Sequence, residues 1–164
     1  MRQCSSFVMT CFLLWSCGVF AQGRAGVTVI RAGTLIDGKS DKPRANQVIV
    51  IRGNRIESVS DASSAKIPPG ASEIDLSSQT VLPGLIDSHT HIFLQGEDPA
   101  KGGYDANILT QGLALRAVRA GAAAKRALGQ GFTTLRDVET EGAGYGDVGI
   151  KQAINLGYIP GPRL

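Results

Sequence analysis

From Val27 to Asp75 apolar and polar residues exchange places in short bursts. Val27–Ile30 and Gln47–Ile51 are β-branched runs, and Arg55–Val59 alternates the two kinds of side chain, the two-residue period of a strand. Turns are marked by Ile36-Asp37-Gly38 and by Arg52-Gly53-Asn54, the second predicting a tight hairpin with a residue at positive φ. The segment reads as a small antiparallel β unit. Pro68-Pro69-Gly70 then predicts an extended, exposed connection, and Glu73–Leu76 can add one more strand.

At Thr80 the pattern changes. Thr80–Asp87 is nearly continuously apolar, which predicts a strand covered on both faces in a parallel sheet. Farther on, Asn107 is read as the cap of a helix with small and apolar residues at Leu109, Leu113, Ala117, Ala124 and Leu128. Arg116, Arg119, Lys125 and Arg126 fall mostly off that stripe. Gly129–Gly131 ends the helix, Phe132–Val138 is a strand, Asp147–Leu156 a short helix, and Gly161–Leu164 opens a third strand. The expected order is a β unit followed by β, α, β, α, β: an α/β chain.

The N-terminal stretch has a different character. Arg2 is followed by an apolar run from Phe7 to Trp15 and by small or neutral residues up to Ala21. This is the tripartite pattern of a secretory signal peptide over residues 1–21, and its apolar run is too short to span a bilayer. The expectation is an exported protein, periplasmic or extracellular, with no stable membrane span after cleavage. Lipid anchoring at Cys17 is the alternative, poorly matched by Trp15. All three cysteines, Cys4, Cys11 and Cys17, fall in this leader, so the mature chain offers no disulfide framework and no cysteine-ligated zinc.

With 43% hydrophobic and 19% charged residues, the composition is that of a folded domain. A net charge of +3 without an extended basic run argues against nucleic acid as a partner.

Chemistry concentrates at one place. His89 and His91 are the only two histidines, one residue apart at the end of the apolar strand. Strand alternation puts both on one face together with Asp87. Neutral imidazole suits zinc and other first-row divalent ions, and a strand fixes the approach of both rings. Two such histidines can equally lie on a solvated strand end or satisfy hydrogen bonds in a core. Asp87 can stand behind a histidine as an orienting group or satisfy backbone donors. Arg136 and Asp137 end the second strand of the α/β part, where a structural ion pair is the preferred reading. Gly96–Tyr104 is where substrate contacts are expected, and Gly142–Gly146 reads as a flexible loop rather than a nucleotide fingerprint.

The run Val81–His91 resembles the first barrel strand of the amidohydrolase superfamily, whose usual pattern is Pro-Gly-Leu-Ile-Asp-x-His-x-His. Arg31–Gly38 and Val50–Ile56 are similar to the opening strand and hairpin of its small β domain, and Gly131–Asp137 to its second barrel strand. Gly157–Leu164 most resembles the branch with imidazolonepropionase-like enzymes and Xaa-Pro or Xaa-Arg dipeptidases. The resemblance implies an α/β fold: the N-terminal part of a (β/α)8 barrel, preceded by part of a small β-sandwich domain. It implies one or two divalent metals, usually zinc, held in part by His89 and His91. The activity it implies is hydrolysis of a carbon-nitrogen bond in an amide, cyclic amide or dipeptide, with a small molecule or dipeptide as partner and room for an oligomer.

The domains expected are a signal peptide at 1–21, a partial small β domain at 22–80 and the first two to three βα units at 81–164. A barrel of this type needs roughly 250 residues, so an incomplete barrel and an N-terminal fragment inactive alone are expected. The general base and remaining ligands of the family have no counterpart here. The competing expectation is an exported remnant or metal-binding protein without catalysis.

Overall fold

The computed structural model describes residues 26–164. The expected signal peptide, with its expected cut after Ala21, and the three cysteines lie outside the described residues. Two compact units emerge. One comprises the described residues up to Gly33 with Ala45–Gln79, and the other Thr34–Arg44 with Thr80–Leu164.

The expected β unit is a four-stranded sheet in the order β3-β2-β1-β4, with β1 at Val27–Leu35, β2 at Arg44–Arg52, β3 at Arg55–Asp61 and β4 at Ser72–Val81. β2 and β3 pair antiparallel across a two-residue turn, and Gly53 there takes φ +59°, as the Arg52-Gly53-Asn54 reading required. Val29, Val48 and Val50 form the buried centre of the first unit, with Ala65, Ile67 and Ala71 against it. Pro68-Pro69-Gly70 is a closed turn rather than an extended connection, since the Ala71 N–H donates to the Pro68 carbonyl and Gly70 has φ +76°.

The single strand expected over Thr80–Asp87 is two. β4 ends at Val81, and β5 begins at Leu85 and runs to Thr90. Pro83 lacks the N–H that a continuous ladder needs. Gly84 brings the chain so close to β6 (Phe132–Asp137) that an added Cβ would lie 2.2 Å from Thr133 side-chain atoms. In this chain Leu85 and Ile86 are 41% and 70% exposed. β5 pairs with β6 in parallel as a two-stranded sheet, and Arg163 forms an isolated parallel bridge to Thr134, within the segment where a third strand was expected to open.

The long helix is likewise broken. α1 spans Gly103–Thr110 and α2 spans Leu113–Gly129, capped by Gly112. Asn107 is therefore not a cap but a buried residue inside α1, joined by its side chain to Glu97 and Arg119. The stripe buried on α2 is Arg116, Ala120 and Ala124, a four-residue spacing of largely small side chains that permits close approach. Leu109 and Leu113 remain exposed. α3, Gly146–Asn155, closes the second core, in which Ile92, Phe93, Ala120, Ala124, Ala143 and Ile150 pack together. Among the described residues, no helix is long and apolar enough to cross a membrane.

Candidate metal centre

The parallel pair β5 and β6 delivers its C-terminal ends side by side. The register slips between Asp87 and Thr90: Asp87 faces Leu135 and Thr90 faces Asp137, so β5 spends one residue more than β6. The Asp87 carboxylate supports this irregularity by accepting from the His89 N–H at 3.0 Å. Of the two roles open to Asp87, the structure displays the backbone one. The Ile92 N–H donates to Asp137 Oδ1 at 3.2 Å and the Val138 N–H to the Thr90 carbonyl at 3.1 Å, tying the two strand ends together.

His91 lies just past the end of β5, and its ring converges with that of His89. The two Nε2 atoms are 3.3 Å apart and the ring centroids 5.3 Å. Two nitrogens bound at 2.0–2.1 Å to one tetrahedral ion stand about 3.3 Å from each other. Span and donor type therefore both fit a borderline divalent ion such as zinc.

The other ring nitrogen of His91 faces a carboxylate. Glu141 Oε1 is 2.7 Å from His91 Nδ1, and Glu141 is 4% exposed. The contact lies off the hydrogen-bond direction, leaving Nδ1 without an aligned partner. Glu141 Oε2 accepts from the Tyr104 hydroxyl, and this bond to a carboxylate pushes the phenol up to about 12. Each carboxylate oxygen thus has its own neighbour.

Glu141 is in the left-handed region at φ +54°, unusual for a residue with a Cβ. Its turn is held by Arg116, whose Nη2 donates to the Glu141 carbonyl at 2.6 Å and to the Thr140 carbonyl at 3.3 Å. The guanidinium also lies 5.8 Å from the centroid of the Phe93 ring. These contacts explain how a charged residue comes to be buried on α2. Ala143, buried within Gly142–Gly146, donates to the Thr140 carbonyl, and Gly146 donates to that of Ala143, so the loop read as flexible is a bonded succession of turns.

Asp137 does not form the preferred ion pair with Arg136. It turns inward to Ile92 while Arg136, one strand position back, is exposed. Burial raises the Asp137 carboxyl above its ordinary value, and Oδ2 is buried without a partner. One ligand atom each of His91, Glu139 and Glu141 also lie within 4.8 Å of one another. The imidazole pair is the better centre, since both Glu141 oxygens already have neighbours. Sequence reading missed Glu141 and Arg116 as site residues. The usable cue was position alone, because Glu141 follows a parallel strand end as the histidines do.

Residues 80–164 match the amidohydrolase family. A D-aminoacylase of Alcaligenes xylosoxydans xylosoxydans is 41% identical over 63 residues, 38% of this chain and 12% of that protein. The imidazolonepropionase of Thermoplasma acidophilum is 41% identical over 51 residues, 31% of this chain and 12% of that one. Among solved structures, an Xaa-Pro dipeptidase with methionine bound in its active site is similar at a TM-score of 0.73 and 34% identity, covering 84% of this chain and 32% of that one. The ochratoxinase of A. niger gives 0.66 and 30%, covering 85% and 30%. The chain spans 12% of the length of either sequence relative and under a third of these solved chains. With more than half its residues matched, the chain belongs to the amidohydrolase family.

Proposed function

We propose that the full-length protein is a metal-dependent hydrolase of carbon-nitrogen bonds and that this chain supplies the first two ligands of its metal centre, His89 and His91. The carrying observation is the convergence of their Nε2 atoms at 3.3 Å on the end of a parallel strand. Zinc is the ion proposed, as one ion or two.

When bound, such an ion lowers the pKa of water and polarises a carbonyl. The chain's own residues set the geometry. The Asp87 carboxylate fixes the backbone at His89, and Asp137 fixes it just after His91 through the Ile92 N–H. Further proposals are that β5, β6 and the segment at Arg163 are the opening strands of a (β/α)8 barrel, with a small β domain over 22–80 and barrel units over 81–164. A signal peptide at 1–21 directs export to the periplasm or beyond.

Substrates of the proposed class are amides, cyclic amides and dipeptides, with Xaa-Pro and Xaa-Arg dipeptides first among them. The similarity to an Xaa-Pro dipeptidase supports that order. The test is hydrolysis of these dipeptides and of cyclic amides by zinc-loaded full-length protein. The proposal expects turnover that His89→Ala and His91→Ala each abolish; turnover unaffected by both substitutions contradicts it.

A further inference from the structure

We propose that Glu141 is the positioning residue of the metal centre: its carboxylate accepts a hydrogen bond from His91 Nδ1 and holds the ring in the tautomer that leaves Nε2 free to ligate. This rests on the metal-centre reading and extends it to a residue outside the histidine pair.

A neutral imidazole has one N–H and one lone pair. For His91 Nε2 to ligate, the proton must be on Nδ1, and Nδ1 then needs an acceptor in a place with little water. Glu141 Oε1 stands 2.7 Å from Nδ1 and is the acceptor assigned to it here, and the carboxylate is 95% buried. The Asp87 carboxylate accepts instead from the His89 backbone N–H. A carboxylate removed from water is costly unless its oxygens are bonded, and Tyr104 satisfies the second oxygen. The backbone is committed as well. Glu141 holds a left-handed conformation, and buried Arg116 clamps the carbonyls of residues 140 and 141. Tyr104 on α1 bonds the Glu141 carboxylate and Arg116 on α2 holds its main chain, and that carboxylate faces one histidine nitrogen.

The experiment compares full-length wild type with Glu141→Gln, Glu141→Ala, His89→Ala and His91→Ala. It reads the zinc dissociation constant by chelator competition and the His91 tautomer by ¹⁵N NMR of the zinc-free protein. Wild type is expected to show the Nδ1–H tautomer. In Glu141→Ala that preference is lost and zinc binds roughly 10–100-fold more weakly. Glu141→Gln, which keeps size and one acceptor but not the charge, falls between and answers the question if the alanine variant does not fold.

Unchanged zinc affinity and an unchanged tautomer in Glu141→Gln, with binding still lost in the histidine variants, overturn the positioning role alone. Zinc binding indifferent to His89→Ala and His91→Ala overturns the metal centre and this inference together. Direct coordination of zinc by Glu141, seen as an added oxygen scatterer in X-ray absorption that Glu141→Ala removes, also overturns it, since Glu141 is then a ligand.

Discussion

Arg116 reaches from α2 to donate to the main-chain carbonyl of Glu141 at 2.6 Å, so a buried cation on a helix fixes a strained residue in the turn after β6. A hydrogen bond from a charged donor contributes roughly 1.5–3 kcal/mol, more than a neutral one. Arg116→Ala also removes the contact with Phe93. The expected loss is about 2–4 kcal/mol in chemical denaturation. Arg116→Lys should recover little of it, because a single ammonium group lacks the planar fork that serves neighbouring acceptors. A lysine variant as stable as wild type would show that charge alone suffices.

Phe93 tests the core beneath that clamp. It is 1% exposed and packs with Ile92, Ala143 and Ile150. Phe93→Ala is expected to cost about 3–5 kcal/mol, the range for truncating a buried aromatic side chain. Calorimetry or denaturant titration checks this, and a loss below about 1 kcal/mol would mean that the cluster collapses around the gap.

Gly84 lies where the chain passes from β4 to β5. A Cβ there would stand 2.2 Å from Thr133 Oγ1 and Cγ2 and 2.7 Å from its Cβ. Gly84→Ala should therefore destabilise by roughly 1–3 kcal/mol, an overpacking cost. Adding Thr133→Ala should restore only part, because the threonine Cβ itself is too close. Full recovery in that double variant would place the conflict at the outer atoms alone.

Asp37 carries a pH dependence of its own. Hydrogen bonds from the Ser40 and Lys39 N–H groups and the Ser40 hydroxyl, with Arg44 nearby, lower its carboxyl from 3.8 to about 2. A depressed folded-state pKa means the unfolded chain binds the proton more readily. The stabilisation is therefore complete above about pH 4 and fades as pH falls towards 2. Asp37→Ala should lower the melting temperature at neutral pH and flatten its fall between pH 4 and 2. Parallel melting curves for variant and wild type across that window would contradict it.

The sequence was most legible where periodicity and turn chemistry coincide. The β-branched runs at Val27 and Gln47, the Arg52-Gly53-Asn54 hairpin and the helix stop at Gly129 all rest on interactions between near neighbours. It was least legible where a distant partner decides. Continuous apolarity over Thr80–Asp87 concealed the break at Pro83 and Gly84, and Asn107 resembles a cap until Glu97 and Arg119 claim its amide. The histidine pair was visible as a motif, but His91 lies just past the end of β5, beyond the alternation that predicted one face for both rings. Glu141 became a site residue through a contact with His91 far along the chain, which no local pattern encodes.

Whether His89 and His91 are the first ligands of a metal centre can be read from the zinc content and affinity of the full-length protein. Metal analysis and chelator competition would compare wild type with His89→Ala, His91→Ala and the double variant, each first shown to be folded. Wild type should carry stoichiometric zinc, either single variant should bind it more weakly, and the double variant should bind none at this centre. Equal zinc content and affinity in all four proteins would contradict that assignment.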